Sequence, residues 1–280
     1  MLFEISEREY KEAYTDYFRR QAVDKIVCHY CLVEKGKRML AELCLELDSR
    51  EIGFQHSSKL QGVLMEHIDT DYAAQLHQNQ LHPYSQCITR SKDEKVYWHI
   101  RTVTQEAYEK VIFPIAALEK VQLKKGVEAQ IIEKKIRTRD ESELLKEFYD
   151  TPFDKYFNLA FKTPTAFKQN GRYVIYPDVR LIYGSLMRKY SAASTELEMA
   201  DEETLEELAE QSEIIKYRLQ TCQFPLEGIK ITGFMGSITI RVRGPETMAR
   251  YVRMLAGFGE FSGVGIKTSM GMGAIQYIRK

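Results

Sequence analysis

Hydrophobic and polar residues alternate along the first half of the chain in a pattern that predicts a ferredoxin-like domain. Residues 38–48 alternate as in a strand, and residues 58–78 have the spacing of a helix that could break near Asp69–Asp71. The elements predicted after them are two strands, a helix and a further extended segment, at 83–90, 96–104, 105–118 and 119–138. The order strand, helix, strand, strand, helix, strand is that of the split βαβ motif.

The second half of the chain repeats this order of elements. The predicted elements are a strand at Tyr156–Thr163, a helix over 178–190, an acidic helix over 201–218, a hairpin over Lys230–Arg243 that turns at Phe234–Gly236, a helix from Pro245 to Leu255, and a strand near 272–279. We therefore expect an α+β fold with two tandem ferredoxin-like (RRM-like, βαββαβ) domains, at 38–140 and 141–280, which meet in the charged stretch Arg137–Glu143. Before them, residues 1–37 are expected to form an N-terminal helical extension, in which residues 7–22 have helical spacing.

Charge is balanced over the whole chain but unevenly distributed along it. The 280 residues are 44% hydrophobic and carry 40 basic and 40 acidic side chains. Six Lys or Arg stand against one acid in residues 160–190 and eight against two in residues 229–280, whereas residues 191–227 hold ten acids and two bases. Two basic segments on either side of an acidic one can form a defined RNA site, and the neutral total argues against non-specific coating of nucleic acid.

The sequence shows no export signal, membrane segment or convincing metal site. No apolar run approaches the roughly 20 residues of a membrane helix, and the N-terminus is charged from its fourth residue, so we expect a cytoplasmic protein. Among five scattered cysteines, only Cys28 and Cys31 lie close together. Because no second pair of ligands stands at zinc spacing, free thiols are the first interpretation of this pair, ahead of a redox pair or a metal site.

A glycine-rich segment over 256–273 precedes the last predicted strand. The spacing G-x-G-x-x-x-G-x-G, placed after a helix, differs from the dinucleotide signature, which follows a strand and opens a helix, and no P-loop Gly-Lys-Ser/Thr is present. Glycines allow a phosphodiester backbone to approach the main chain, and Lys267, Thr268 and Ser269 would add a charge and two hydroxyl groups. The alternative is a connection whose glycines only permit tight packing.

Several separated stretches resemble one protein family. They are GEFSGVGIKTSMGMG at 259–273, Phe54-Gln55, Gly62–Met65, Gln75–His77, Phe161-x-Thr163-Pro164 with Phe167-Lys168, and Pro177–Val179. In these stretches the chain resembles the CRISPR repeat-processing endoribonucleases of the RAMP superfamily, and most of all the branch that accompanies type III-A effector complexes. The resemblance extends over about 38–280 and gives residues 1–37 no functional interpretation.

The resemblance implies RNA cleavage without a metal or other cofactor. The 2′-hydroxyl group of the RNA attacks the adjacent phosphate and leaves a 2′,3′-cyclic phosphate and a 5′-hydroxyl group. Such a reaction requires a base, an acid and positive charge near the phosphate. The implied partner is CRISPR repeat RNA, as precursor and as product. We further expect transient contact with a type III effector complex, no membrane association, and a monomer or homodimer.

Four residues around the first predicted helical region are candidates for catalysis. His77 stands at the end of this region, where the family often has its histidine, and we expect it to be the principal catalytic residue. His82 could act as a second acid or base or donate a hydrogen bond to the phosphate. His56 and Lys59, just before the helix, are further candidates.

Two positions depart from the family pattern, so a fixed catalytic triad is not expected. Some relatives have a tyrosine where this chain has Met65, and closer relatives have a histidine where it has Gln61. Tyr84 could contact the phosphate or simply begin the next strand. The expected RNA-binding residues are glycines, hydroxyl residues and cations of the second half: Gly263, Gly265, Lys267, Thr268, Ser269, Lys162, Lys168, Arg188, Arg241 and Arg243.

Two other functions fit part of the sequence. A non-catalytic RNA-binding RAMP subunit of an effector complex would share the fold and the glycine-rich segment but would not need His77. A metabolic enzyme that binds phosphate through the glycine-rich segment would bind a small nucleotide, although the chain has no Walker or dinucleotide motif.

Overall fold

The computed structural model describes residues 39–123, 126–140, 154–193, 200–226 and 228–279, together with residues 143, 146, 148 and 149. The helix predicted over 7–22 and the Cys28–Cys31 pair lie outside the described residues. Two large antiparallel sheets, each packed against helices, follow one another along the chain. The predicted α+β class with two tandem ferredoxin-like units is confirmed.

Five antiparallel strands form the first sheet. They are β1 Met39–Asp48, β2 Tyr84–Arg90, β3 Val96–Thr102, β4 Lys120–Leu123 and β5 Val127–Asp140. The order across the sheet is β2-β3-β1-β5-β4, in which the first four strands have the ferredoxin-like arrangement and β4 adds an edge strand beside β5. The alternation that predicted β1 places Leu43 and Leu45 in the core of this domain.

Three helical regions pack against the first sheet. They are α1 Ser57–His67, α2 Thr70–Gln78, and α3, in which a π-helical turn at Tyr108–Ile112 joins helical turns at Gln105–Ala107 and Phe113–Ala116. The predicted break between α1 and α2 is confirmed. Ile68 is extended there, and Asp69 accepts a hydrogen bond from the Tyr72 amide at 2.9 Å, which caps the start of α2.

Four antiparallel strands form the second sheet. They are β6 Tyr156–Thr165, β9 Ser212–Leu226, β10 Ile229–Val242 and β11 Ile275–Ile278, while β7 Phe167–Gln169 and β8 Arg172–Val174 pair as a separate hairpin. The order across the sheet is β11-β6-β10-β9, so these strands are the four strands of the second ferredoxin-like unit. The helices of this unit are α4 Val179–Ala193, α5 Glu202–Glu210 and α6 Glu246–Ser262.

Two predictions about the strands of the second unit were wrong. The acidic helix ends at Glu210 rather than 218, because residues 212–226 form the edge strand β9. Ile214, Ile215 and Tyr217 favour a strand, and their pairing with β10 outweighs the helical pattern of the preceding acidic residues. The hairpin predicted within Lys230–Arg243 is instead the single strand β10, and the glycine at its supposed turn, Gly236, lies next to a shift in strand register.

The glycine-rich segment begins later than its composition indicated. Helix α6 continues to Ser262, seven residues beyond the predicted end at Leu255, and therefore contains Gly257 and Gly259. A Cβ atom at Gly259 would lie 2.8 Å from a methyl carbon of Leu186 in α4, so close packing of α4 against α6 accounts for a glycine inside a helix. The loop itself comprises residues 263–274.

The loop and the end of α6 contact the first domain. Ala166, Phe224 and Met272 form a small buried cluster against which Phe54 of the first domain packs. Ser85 of β2 donates a hydrogen bond to the Phe261 carbonyl at 2.6 Å, which ties the end of α6 to the first sheet. None of the helices in the described ranges has the length and hydropathy needed to cross a membrane.

Candidate active site

A cleft of about 460 Å³ lies where the residues after α2 meet the loop that follows α6. Residues from four parts of the chain line it: Gln80, Leu81 and His82 from the first domain, Leu181, Ser185, Arg188 and Lys189 from α4, Phe167 and Lys168 from β7, and residues 265–270 of the loop. No carboxylate is among these described lining residues. The cleft therefore presents cations and a histidine without a neutralising acid, which suits a phosphate group.

His77 lies in the last turn of α2, three residues before Gln80, the first residue that lines this cleft. It is exposed, whereas the neighbouring Leu76 is buried and anchors the turn. His77 is close enough to His82 to affect its charge state. The structure thus brings together the two histidines that the sequence analysis favoured.

His82 lies deeper, partly buried between Tyr84 and the loop. The two rings meet edge to face with centroids 5.5 Å apart. The buried Nδ1 atom of His82 has no hydrogen-bond partner within the described part of the chain. Burial lowers the pKa of His82, and the charges of His77, Lys267 and Lys189 lower it further. A neutral imidazole keeps one unprotonated ring nitrogen, which can accept a proton or a hydrogen bond.

Tyr84 connects the first domain to the loop instead of facing the cleft. It begins β2, is buried, and exchanges hydrogen bonds with Gln61 of α1, at 3.5 Å, and with the Ser269 side chain. Burial raises the pKa of Tyr84 to about 12, so the hydroxyl group stays protonated. Gln61 therefore supports Tyr84 here.

The loop has a fixed conformation that depends on its glycines. Gly265 has a φ angle of +78°, and a Cβ atom there would lie 2.4 Å from the Ala166 carbonyl oxygen. Gly263, at the C-terminal cap of α6, also has a positive φ angle. The backbone of the protein itself thus requires these glycines. Lys267 adopts a left-handed conformation with φ 56° and is exposed at the cleft.

Lys189 is a site residue that the sequence analysis missed. Its ammonium group is buried and donates hydrogen bonds to the Ser262 carbonyl at 3.1 Å, the Gly263 carbonyl at 3.1 Å and the Thr268 hydroxyl at 3.0 Å. Burial and the Arg188 guanidinium lower the pKa of Lys189 to about 7, while the three acceptors favour the charged form, which alone has three N–H donors. A usable signal was present: Lys189 continues the buried stripe of Ile182 and Leu186 on α4.

The other predicted RNA-binding residues fall into three groups. Lys168, Arg188 and Lys267 line the cleft as exposed cations. Thr268 and Ser269 also line it, but they are buried and their hydroxyl groups bond to Lys189 and Tyr84, so they shape the loop. The remaining three do not line this cleft: Lys162 is exposed on β6, and Arg241 near the end of β10 and Arg243 just after it both pair with Glu213.

Two catalytic candidates lie apart from the histidine pair. Lys59 lines a second cleft of about 480 Å³, together with Gln55, Glu66 and Lys230. His56 accepts a hydrogen bond from the Gly53 amide at 3.2 Å, and burial and the charge of Lys59 lower its pKa. Among the described residues, no three His, Cys, Asp or Glu side chains are grouped so that they could hold a metal ion.

Comparisons with known proteins agree with this architecture. The family described as CRISPR-associated endoribonuclease Cas6 matches residues 159–275. A CRISPR-associated endoribonuclease Cas6 of Streptococcus thermophilus is 38% identical over 218 residues, which cover 78% of this chain and 89% of the relative. One from Mycobacterium tuberculosis is 39% identical over 220 residues, which cover 78% of this chain and 70% of the relative.

Solved structures share the fold at lower sequence identity. A Cas6 product complex has a TM-score of 0.72 at 21% identity and covers 86% of this chain and 100% of its own. Thermus thermophilus Cas6 has a TM-score of 0.62 at 23% identity, with 86% and 99% covered. Tandem ferredoxin-like domains, with this glycine-rich loop of the second domain packed against the first, define a RAMP-type protein. Within that class, the chain belongs to the Cas6 family of CRISPR-associated endoribonucleases, which confirms the resemblance found in the sequence.

Proposed function

We propose that this protein cuts CRISPR repeat RNA in the cleft between His77 and the glycine-rich loop, without a metal ion. The observation that carries the proposal is the convergence of His77, His82, Lys189 and Lys267 at one site, in a chain of the Cas6 family. Two histidines beside cations can supply the base, the acid and the positive charge that 2′-hydroxyl attack requires.

The proposed roles follow from burial and charge. His82 is held neutral by burial and by the surrounding cations, so it accepts the proton of the attacking 2′-hydroxyl group. The new bond between the 2′-oxygen and phosphorus forms as the bond to the 5′-oxygen breaks, and His77 gives a proton to that leaving oxygen. Lys267 lies next to the transferred phosphate and stabilises its charge. The products are a 2′,3′-cyclic phosphate and a 5′-hydroxyl group.

The test is single-turnover cleavage of the repeat RNA encoded with the protein. His77→Ala and His82→Ala should each slow cleavage strongly while Kd for the uncleavable 2′-deoxy repeat changes by less than about tenfold. His67→Ala is a matched control, because His67 also ends a helix and is exposed, but bonds to the Val63 carbonyl at 2.8 Å. Wild-type protein that binds the repeat and never cuts it would favour a non-catalytic RNA-binding subunit instead.

The predictions of transient contact with a type III effector complex and of a monomeric or homodimeric state stay predictions. So does the division into domains at 38–140 and 141–280. Sedimentation of the protein alone and with repeat RNA measures the oligomeric state directly.

A further inference from the structure

One face of α4 holds the glycine-rich loop at two points. Ser185 accepts a hydrogen bond from the Gly265 amide at 2.8 Å. One turn later on the same face, Lys189 bonds to the Ser262 and Gly263 carbonyls and to the Thr268 hydroxyl. Lys189 therefore connects the end of α6 to the 3₁₀ turn at Thr268–Met270, although Lys189 itself lies 79 positions before Thr268 in the chain.

The bonding geometry matches an ammonium ion. Lys189 has three N–H donors when charged and finds three acceptors at 3.0–3.1 Å. Two acceptors are carbonyls at the C-terminal end of α6, where the helix dipole favours a cation. The charge of Arg188 on the same helix nevertheless opposes that of Lys189, and the described residues that line the cleft beside Lys189 include Arg188, Lys267 and His82 but no carboxylate.

A buried lysine is a costly choice at this position. The stripe on α4 that contains Ile182 and Leu186 would accept an apolar residue at 189, which would fill the space without the desolvation of a charge. The three bonds of this cation go to the last residue of α6 and to two residues of the loop that follows it, so the function of the loop accounts for the buried charge. Thr268 is the central contact, because it lies between Lys267, which faces the cleft, and Ser269, which bonds to Tyr84.

We propose that Lys189 is a positioning residue for RNA cleavage: by holding Thr268 against the end of α6, it places Lys267 and the loop backbone opposite His77 and His82. The inference rests on the proposed function, and it deepens it by assigning the conformation of the catalytic loop to a residue of α4. Lys189 acts through Thr268 and Lys267 and does not contact the reacting atoms.

The experiment separates placement from binding and from folding. Lys189→Met removes all three bonds with a side chain of similar length, Thr268→Val removes one of them, and Thr268→Ser keeps the hydroxyl group. Misplacement of about 1 Å can cost about 100-fold in rate. We expect Lys189→Met to reduce the single-turnover rate at saturating protein by about 10- to 100-fold, with Kd for the 2′-deoxy repeat within about threefold of wild type.

Thr268→Val should reduce the cleavage rate in the same way, whereas Thr268→Ser should cleave at close to the wild-type rate. The double variant Lys189→Met/Thr268→Val should be little slower than the slower single variant, because both substitutions remove the same contact. Lys92→Met is the control for loss of one positive charge. Lys92 is exposed in the turn at the far end of β2 from His82, roughly 20 Å along the strand. It should cleave at the wild-type rate.

Each outcome decides between the claims. A folded Lys189→Met protein that cleaves at the wild-type rate, while wild type cleaves, overturns the positioning role and leaves the proposed function intact. Equal losses of affinity and rate would make Lys189 a binding residue and also contradict the inference. If Lys189→Met does not fold, the Thr268→Val and Thr268→Ser pair decides, because equal rates for the two contradict it. Absence of cleavage by wild type overturns both proposals.

Discussion

Replacement of Gly265 by alanine tests whether the loop is held by the protein's own backbone. Gly265 has a φ angle of +78°, and the added Cβ atom would lie 2.4 Å from the Ala166 carbonyl oxygen, about 1 Å short of ordinary contact. That carbonyl also accepts a hydrogen bond from the Ile266 amide at 3.0 Å. The substitution therefore both strains the backbone and forces the loop away from Ala166, the residue between β6 and β7 to which it is bonded.

Gly228 in the turn between β9 and β10 is the matched control. Its φ angle is +88°, and no atom lies within 4 Å of a Cβ atom placed there. Left-handed strain alone costs about 1–2 kcal/mol, so Gly228→Ala should lose about 1 kcal/mol in the free energy of unfolding. Gly265→Ala adds the displaced carbonyl and a weakened hydrogen bond, and should lose about 3 kcal/mol.

Urea and thermal unfolding measure the loss of stability, and single-turnover cleavage measures the effect on the reaction. At roughly 2–4 °C per kcal/mol, Gly265→Ala should lower Tm by about 9 °C and Gly228→Ala by about 3 °C. A loop shift near 1 Å should slow cleavage by up to about 100-fold in Gly265→Ala and leave Gly228→Ala near wild type. If the two variants are equally stable and cleave equally fast, the close approach of Gly265 to Ala166 does not determine the loop conformation.

Three further predictions concern the histidines, the loop lysine and a buried ion cluster. His77→Ala should slow cleavage by about 10²–10⁴-fold in single-turnover assays, and a folded variant that retains the wild-type rate would make His82 or His56 the better candidate. Lys267→Ala should weaken repeat binding and reduce its salt dependence, and an unchanged salt slope would exclude a phosphate contact. The same substitution should raise the pKa of His82, so that the acid limb of the pH–rate profile moves to higher pH. Burial alone would raise the pKa of Glu42, but the hydrogen bond from His99 and the charges of Arg101 and Arg137 hold this pKa well below its unfolded value of 4.5. The stability that ionised Glu42 contributes is therefore present above pH 4.5 and is lost as the pH falls below that value. Glu42→Gln should lose about 3 kcal/mol at pH 7 in urea unfolding, and a loss no greater than that of the exposed Glu94→Gln would contradict this account of the cluster.

The fold could be predicted where apolar and polar side chains alternate clearly or where a capping residue marks the start of a helix. Strand β1 and the break at Asp69 followed from alternation and from a capping residue. Strand β9 was misassigned because it is an edge strand whose residues 215–218 are all exposed, so no alternation of buried and exposed residues marks it. Helix α6 was cut short because glycine lowers helix propensity, whereas Gly259 lies in the helix where Ile275 and Leu186 of α4 pack closely against it.

The candidate site could be predicted only in part. His77 and His82 were found through the family resemblance, and the structure places His82 in the lining of the cleft and His77 close enough to lower the pKa of His82. The burial of Thr268 and Ser269 could not be read from the sequence, because Lys189 and Tyr84 lie 79 and 185 positions away from them. Contacts over such separations depend on the packing of two domains, which local patterns do not encode.

The most direct test of the account compares two repeat RNAs that differ by one oxygen atom. Purified wild-type protein is incubated in excess EDTA with the repeat RNA or with the same RNA carrying a 2′-deoxy nucleotide 5′ to the cut, and the product ends are analysed. We predict that the all-ribose repeat is cut once, with a 2′,3′-cyclic phosphate on the 5′ fragment and a 5′-hydroxyl group on the 3′ fragment, and that the 2′-deoxy repeat is bound but intact. Cleavage of the 2′-deoxy repeat, or cleavage that EDTA abolishes and magnesium restores, would contradict 2′-hydroxyl attack assisted by His77 and His82.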